Sequence, residues 1–217
     1  SGIRANLSYQ KNSALLSSAL LGKFNVENLL LIAAWLLEHH YSLNEAVDIC
    51  AKLVPISGRM ELLGGIEDAP LIIIDYAHKP DALEKVLLTA QLHCQNELWC
   101  VFGCGGNRDT SKRPIMGAIA EKLAHKVIIT SDNPRDEDPL AIAKMILSPT
   151  ANKTKIILDR ESAIAEAILQ ADSQDVILIA GKGHETYQEI KNNKIFFDDA
   201  LIAKKYLQKR LLNRFLA

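Results

Sequence analysis

Four short stretches concentrate the residues able to do chemistry: DYAHKPD at 75–81, GCGGNRDTSKRP at 103–114, SDNPRDEDP at 131–139 and AGKGHETY at 180–187. Arg108 and Arg135 offer planar donor forks suited to a carboxylate or phosphate, and Glu185 offers an acceptor suited to an ammonium group. Together they complement a zwitterion, for which a free amino acid is the natural candidate. Gly103, Gly105, Gly106, Gly181 and Gly183 would let backbone approach a ligand and expose N–H groups to it. Taken singly, each stretch also reads as helix caps, glycine turns and solvated charge. His78 and His184 read singly as satisfied loop residues or as phosphate or metal neighbours. Neither glycine-rich run fits the phosphate-loop pattern G-x-x-x-x-G-K-[ST], which occurs nowhere in the sequence.

The elements before these stretches make them a set. Strand-like runs at 71–77, 97–103, 126–132, 154–159 and 175–181 alternate with helical patterns at about 80–94, 114–125, 139–148 and 160–171, and a last helix follows Asp198. Pro114 and Pro139 suit a first helical turn, and Asp138 is placed to cap the helix that Pro139 begins. The runs are near-continuous Val, Ile and Leu, as in strands buried on both faces, so the expected class is α/β: a mostly parallel sheet with helices on both faces. The C-terminal ends of parallel strands share one edge, where open α/β sheets bind ligands, so all four stretches are expected in one crevice.

Residues 1–57 have a different texture. Ile3 to Ser8 suggests a short strand, GKFNVENLLLIAAWLLEHH a helix buried on most sides, and SLNEAVDICAKL a second helix opened by a capping box between Ser42 and Glu45. One strand and two helices make no obvious independent domain. The expected division is therefore 1–57 and 58–217.

Composition bounds the remaining choices. The 217 residues are 48% hydrophobic and 6% aromatic, enough for one sizeable core. Twenty-five basic against 26 acidic residues leave a formal net charge of −1 without a long basic run, which argues against a nucleic-acid partner. The longest apolar run, Leu29 to Leu37, is about half the roughly 20 residues that span a bilayer, and no charged-then-apolar leader opens the sequence. No membrane association and a cytoplasmic location are expected. Cys50, Cys94, Cys100 and Cys104 form no CxxC pair or zinc set, so reduced and mostly buried thiols are expected.

GKFNVENLL, SGRME, DYAHKPDALEKVL, VFGCGGNRDTSKRPIMG, TSDNPRDEDP and AGKGHETYQ, in this order, resemble the bacterial Mur ligases over essentially the whole sequence. The resemblance implies a Rossmann-like C-terminal domain at 58–217, preceded by a helical remnant of the central ATPase domain at 1–57. It implies ATP-dependent amide-bond formation with Mg2+. In that family the D-glutamate γ-carboxylate of UDP-N-acetylmuramoyl-L-alanyl-D-glutamate becomes an acyl phosphate that the amine of meso-diaminopimelate attacks, and the resemblance implies the same reaction here. In this family D-N-P-R recognises meso-diaminopimelate, which places Asp132, Asn133, Pro134 and Arg135 at the substrate, with Arg108, Gly181 and Glu185 around the same amino acid. Asn28, Arg59, Asp75 and His78 look like positions facing ATP. No residue here is assigned a catalytic or metal-binding role, because the family's P-loop lysine, carbamylated lysine and principal metal ligands match nothing in this sequence. A monomer is expected, inactive as a ligase by itself. A lysine-adding ligase, a folylpolyglutamate-type ligase and a simple amino-acid-binding module are the rival readings. Diaminopimelate carries a second carboxylate that lysine lacks, so an Arg135 left bare by lysine would reject it by several kcal/mol.

Overall fold

The computed structural model describes residues 2–66, 68–147 and 153–215. The chain falls into two compact units, Ser1–Ile56 and Ser57–Ala217.

In the first unit, β1 (Ile3–Tyr9) and β2 (Asn12–Ser18) form an antiparallel hairpin, followed by α1 (Lys23–Glu38) and α2 (Leu43–Ala51). The sequence reading expected one strand here. The second, NSALLSS, is half serine and asparagine and buries little of its length, so its period-2 signal is weak. Alternate residues Ile3, Leu7 and Leu16 pack with Leu29, Ala33, Leu43, Val47 and Cys50. Ser42 and Glu45 make the expected capping box. Helix α1 departs from expectation: it buries only the stripe Leu29, Ala33 and Leu36, while Leu30, Leu31 and Trp35 are exposed.

The second unit is built on a six-stranded sheet of order β3-β4-β8-β5-β6-β7. Its strands are β3 (Glu61–Gly64), β4 (Leu71–Asp75), β5 (Leu98–Phe102), β6 (Lys126–Ile129), β7 (Thr154–Ile156) and β8 (Val176–Ala180). All neighbours pair in parallel except β3, which runs antiparallel to β4. Sequence patterning missed β3 because ELLG is short and half-buried throughout. The helices are α3 (Pro80–Gln91), α4 (Lys112–Leu123), α5 (Pro139–Ile146), α6 (Arg160–Gln170) and α7 (Asp199–Phe215). Asp138 caps α5 through the N–H groups of Leu140 and Ala141. The expected end of that helix, Ser148, lies outside the described residues.

Side chains alternate across a strand, so Ile72, Ile74, Val101, Ile177 and Ile179 share one face with Ile164 and Ile168 of α6 and Ala203 and Leu207 of α7. Ile73, Cys100 and Leu178 then face the opposite side. Each large aliphatic side chain fully buried this way contributes about 1.5–3 kcal/mol. All four cysteines are free thiols, and Cys50, Cys100 and Cys104 are buried. A last hairpin joins β9 (Tyr187–Ile190) to β10 (Asn193–Phe196). Lys191 and Asn192 connect them with φ of 46° and 63°, the left-handed pair that suits a two-residue hairpin turn.

Candidate functional site

Because β4, β5, β6 and β8 are parallel, their C-terminal ends open on one edge, and a cleft of about 910 Å³ lies there. All four polar stretches reach it, through His78, Arg108, Asp132, Asn133, Arg135, Gly181 and Glu185 among others. Strand β8 lies between β4 and β5 and the chain returns to it last, so segments a hundred residues apart in sequence become neighbours.

The loop after β6 is held from three sides. Gly106 passes so close beneath it that a Cβ there would stand 1.9 Å from the Pro134 carbonyl oxygen, which excludes any other residue. Pro134 is itself buried and does not line the cleft. Asn133, 4% exposed, spends its amide on the protein: Nδ2 donates to Glu185 Oε2 at 2.9 Å, and Oδ1 accepts from Glu189 N at 2.9 Å and Lys182 Nζ at 3.3 Å. It therefore orients the site. Arg135 sits at φ 51°. Its Nη1 donates to the Gly106 carbonyl at 2.8 Å, and its Nε lies 3.0 Å from Glu189 Oε2. The premise that Arg135 would stand bare without a second substrate carboxylate is thus corrected, because the protein supplies Glu189 as counter-ion.

Lys182 was missed by the sequence reading. Its side chain is fully buried and turned into the protein. Its ammonium donates to the Tyr187 carbonyl and lies 3.4 Å from Glu185 Oε2 and 3.7 Å from Asp132 Oδ1. It thereby gathers residues of the β6 and β8 loops around one cation. Asp132 is 7% exposed, and its Oδ1 has no hydrogen-bond partner among the described residues. Burial pushes the Asp132 carboxyl above the usual carboxylate range, against the pull of Arg160 and Lys182. Asp132 and Glu185 thus share one buried ammonium.

Arg108 is exposed at the cleft wall and has no carboxylate partner among the described residues; its Nη1 makes only a 3.4 Å contact to the Asn107 carbonyl. Next to it, Arg113 is fully buried and grips Glu137 with both Nη atoms at 2.8 and 2.9 Å, which braces the two glycine- and asparagine-containing loops.

Of the residues expected to face ATP, Arg59, Asp75 and His78 gather about Tyr76 in the second unit, and Asn28 belongs to the first. Asp75 does not line the cleft: its carboxylate accepts from Met60 N at 2.9 Å and Ala77 N at 2.8 Å, and burial raises its pKa against those bonds and Arg59. It serves as a turn anchor. His78 donates Nδ1–H to the Tyr76 carbonyl at 2.9 Å, which leaves Nε2 for a ligand. Arg59 is exposed, with its guanidinium carbon 5.5 Å from the Tyr76 ring centre. The Tyr76 ring lies 4.7 Å from that of His78 and 5.3 Å from that of His184. Arg59 and His78 beside an aromatic face fit a nucleotide phosphate and base in chemical type. Asn28 is exposed in the first unit, where Nδ2 donates to Asn25 Oδ1 at 3.1 Å. Among the described residues no group of three or more His, Cys, Asp or Glu could hold a metal ion.

This arrangement, a mostly parallel α/β sheet with its cleft at the strand edge, is the fold of the amino-acid-adding ligases. The UDP-N-acetylmuramate-alanine ligase of Thermotoga maritima shares it at TM-score 0.67 and 18% identity, over 92% of this chain and 40% of that one. Residues 58–183 match the family model described as Mur ligase, glutamate ligase domain, and the chain belongs to the Mur ligase family. Within it, the chain is 50% identical over 198 residues to a UDP-N-acetylmuramoyl-L-alanyl-D-glutamate--2,6-diaminopimelate ligase of Buchnera aphidicola subsp. Acyrthosiphon pisum (strain APS). That match takes in 90% of this chain and 40% of the relative, so the chain spans less than half of that protein's length. A solved structure of a ligase of the same name is similar at TM-score 0.71 and 41% identity, covering 96% of this chain and 43% of that one.

Proposed function

We propose that this chain is the C-terminal part of a cytoplasmic, monomeric ligase that joins meso-diaminopimelate to UDP-N-acetylmuramoyl-L-alanyl-D-glutamate in peptidoglycan synthesis, and that its own task is to hold the incoming diaminopimelate. One observation carries the reading. A single cleft sets Arg108 and the free Nη2 of Arg135 beside a cluster in which the Asp132 and Glu185 carboxyl groups share one buried ammonium, Lys182. An amino acid with an extra carboxylate supplies both complements. The names of the relatives at 50% and 41% identity support the same substrate.

In this reading Glu185 and Asp132 take an ammonium group, Arg108 and Arg135 take carboxylates, and the Gly181 backbone closes on the ligand. Holding the attacking amine in line contributes several kcal/mol through orientation. ATP supplies the driving force for amide formation in the whole enzyme, with Arg59 and His78 facing it, whereas Asp75 shapes the turn beneath. Residues 1–57 belong to the central ATP-binding domain. Magnesium ligands come from other parts of the whole enzyme.

Calorimetric titration of the chain with meso-diaminopimelate and with lysine tests the reading: one site is expected for diaminopimelate and at least tenfold weaker binding for lysine. Equal affinity, or no binding of either, overturns it. The same chain should form no product from ATP, acceptor and diaminopimelate, since no P-loop pattern is present to cradle the phosphates.

A further inference from the structure

The last hairpin is sewn to the substrate loop at one residue. Arg135 N donates to the Glu189 carbonyl at 3.0 Å, Lys191 N donates to the Arg135 carbonyl at 2.9 Å, and Arg135 bridges Ile190 in parallel. These bonds hold a non-glycine residue at φ 51°, a conformation that L side chains adopt only when their surroundings enforce it. The side chain of Glu189 completes the clamp, with Oε2 3.0 Å from Arg135 Nε. Nη1 donates to the Gly106 carbonyl at 2.8 Å and reaches the Asn133 carbonyl at 3.5 Å, whereas Nη2 makes no hydrogen bond among the described residues. The guanidinium is therefore occupied at Nε and Nη1 and available at Nη2.

We infer that Glu189 is a specificity-determining residue: it aims the open end of the Arg135 fork into the cleft and, as a resident counter-ion, sets how strongly that fork distinguishes a second substrate carboxylate from its absence. Glu189 acts in two opposing ways. Its carbonyl-like geometry orients the guanidinium, which favours the dicarboxylic substrate. Its negative charge offsets the charge of Arg135 whether or not that substrate is bound, which spares the protein a stranded cation when lysine occupies the site and weakens selectivity. Geometry and charge are separable, because glutamine keeps an acceptor oxygen at the same reach and loses the charge.

This inference rests on the diaminopimelate reading, and its test has one arm that does not. In the chain as it stands, Glu189→Gln should raise the ratio of lysine to meso-diaminopimelate dissociation constants at least threefold over the unsubstituted chain. Glu189→Ala should weaken diaminopimelate binding about fivefold and leave lysine binding within twofold. A hairpin with only a structural role would move both ligands together. The independent arm is magnetic resonance of the free chain, in which the Arg135 Nε–H should exchange with solvent at least tenfold faster in Glu189→Ala and stay protected in Glu189→Gln. An unchanged or lowered ratio in Glu189→Gln overturns the specificity role, and unchanged Nε–H exchange in Glu189→Ala overturns the clamp. Absence of diaminopimelate binding in the unsubstituted chain overturns the functional reading and the specificity role with it, while the exchange arm still decides whether Glu189 holds Arg135.

Discussion

Arg160 and Asp199 meet in a two-pronged ion pair, Nε to Oδ1 at 2.8 Å and Nη2 to Oδ2 at 2.7 Å, with both side chains fully buried. Arg160 opens α6 and Asp199 opens α7, and the same guanidinium donates to the Ala180 carbonyl at 3.0 Å, at the end of β8 where the cleft begins. The pair is thus a brace beneath the site. Asp199→Asn should destabilise the chain by about 3–5 kcal/mol, because a buried cation loses its anion. Replacing both partners together, Arg160→Met with Asp199→Leu, should recover most of the loss. Urea unfolding checks both, and a single-variant loss below about 1 kcal/mol would contradict the brace.

Arg135→Ala should weaken meso-diaminopimelate binding at least tenfold, the scale of a charge-assisted hydrogen bond of about 1.5–3 kcal/mol, and change lysine binding less than threefold. Arg135→Lys should fail to restore it, since a compact ammonium lacks the planar spread by which the guanidinium reaches Glu189, the Gly106 carbonyl and a substrate carboxylate in three directions. Equal losses for both ligands would show that the arginine only holds the loop.

Glu185→Ala in the full-length ligase should raise the KM for diaminopimelate about tenfold and leave the KM for ATP nearly unchanged. The substitution also frees the Asn133 Nδ2 and Lys182 Nζ that now share Glu185 Oε2. Glu185→Gln, which keeps an acceptor, should therefore lose substrate affinity with less loss of stability. A parallel rise in the KM for ATP would remove Glu185 from the amino-acid subsite.

Asp175, at the far edge of the sheet, accepts from Asn96 Nδ2, Glu97 N, Trp99 Nε1 and Asp172 N at 2.7–3.0 Å. Burial works to raise its pKa, but these donors outweigh it and hold the carboxyl below the usual range. A depressed folded-state pKa gives stability that is present above the unfolded value of about 3.9 and is lost as pH falls through the lower folded value. Unfolding midpoints measured downward from about pH 5 should drop in the unsubstituted chain and drop less steeply in Asp175→Asn. Identical slopes would remove Asp175 as a source of the acid sensitivity.

The repeated strand and helix pattern was legible because Leu71–Asp75, Leu98–Phe102 and Val176–Ala180 are continuous apolar runs whose ends carry turn and cap chemistry. Local signals such as the Ser42–Glu45 box and the Asp138 cap depend on residues three apart and survive in any tertiary setting. The strands missed in the sequence, β2, β3 and the β9–β10 pair, are short or half-exposed, and partners more than local pattern hold them in place. That the four polar stretches belong to one edge followed from parallel topology, and Arg108, Asn133, Arg135 and Glu185 were identifiable as candidates from residue type.

Residue type could not assign their individual tasks. Asn133 and Asp75 look like ligand-facing polar groups in the sequence, yet their hydrogen bonds go to Glu185, Glu189, Met60 and Ala77. Lys182 and Glu189 were not singled out in the sequence, yet Lys182 is buried among carboxylates and Glu189 is the counter-ion of Arg135. The sequence by itself determined the periodicities, the caps and the kinds of charge available, because these are properties of neighbours along the chain. Only the tertiary structure decided which charge faces which, because Coulombic and hydrogen-bond energies depend on distances of 3–4 Å between residues that the return of the chain to β8 brings together from fifty or more positions apart.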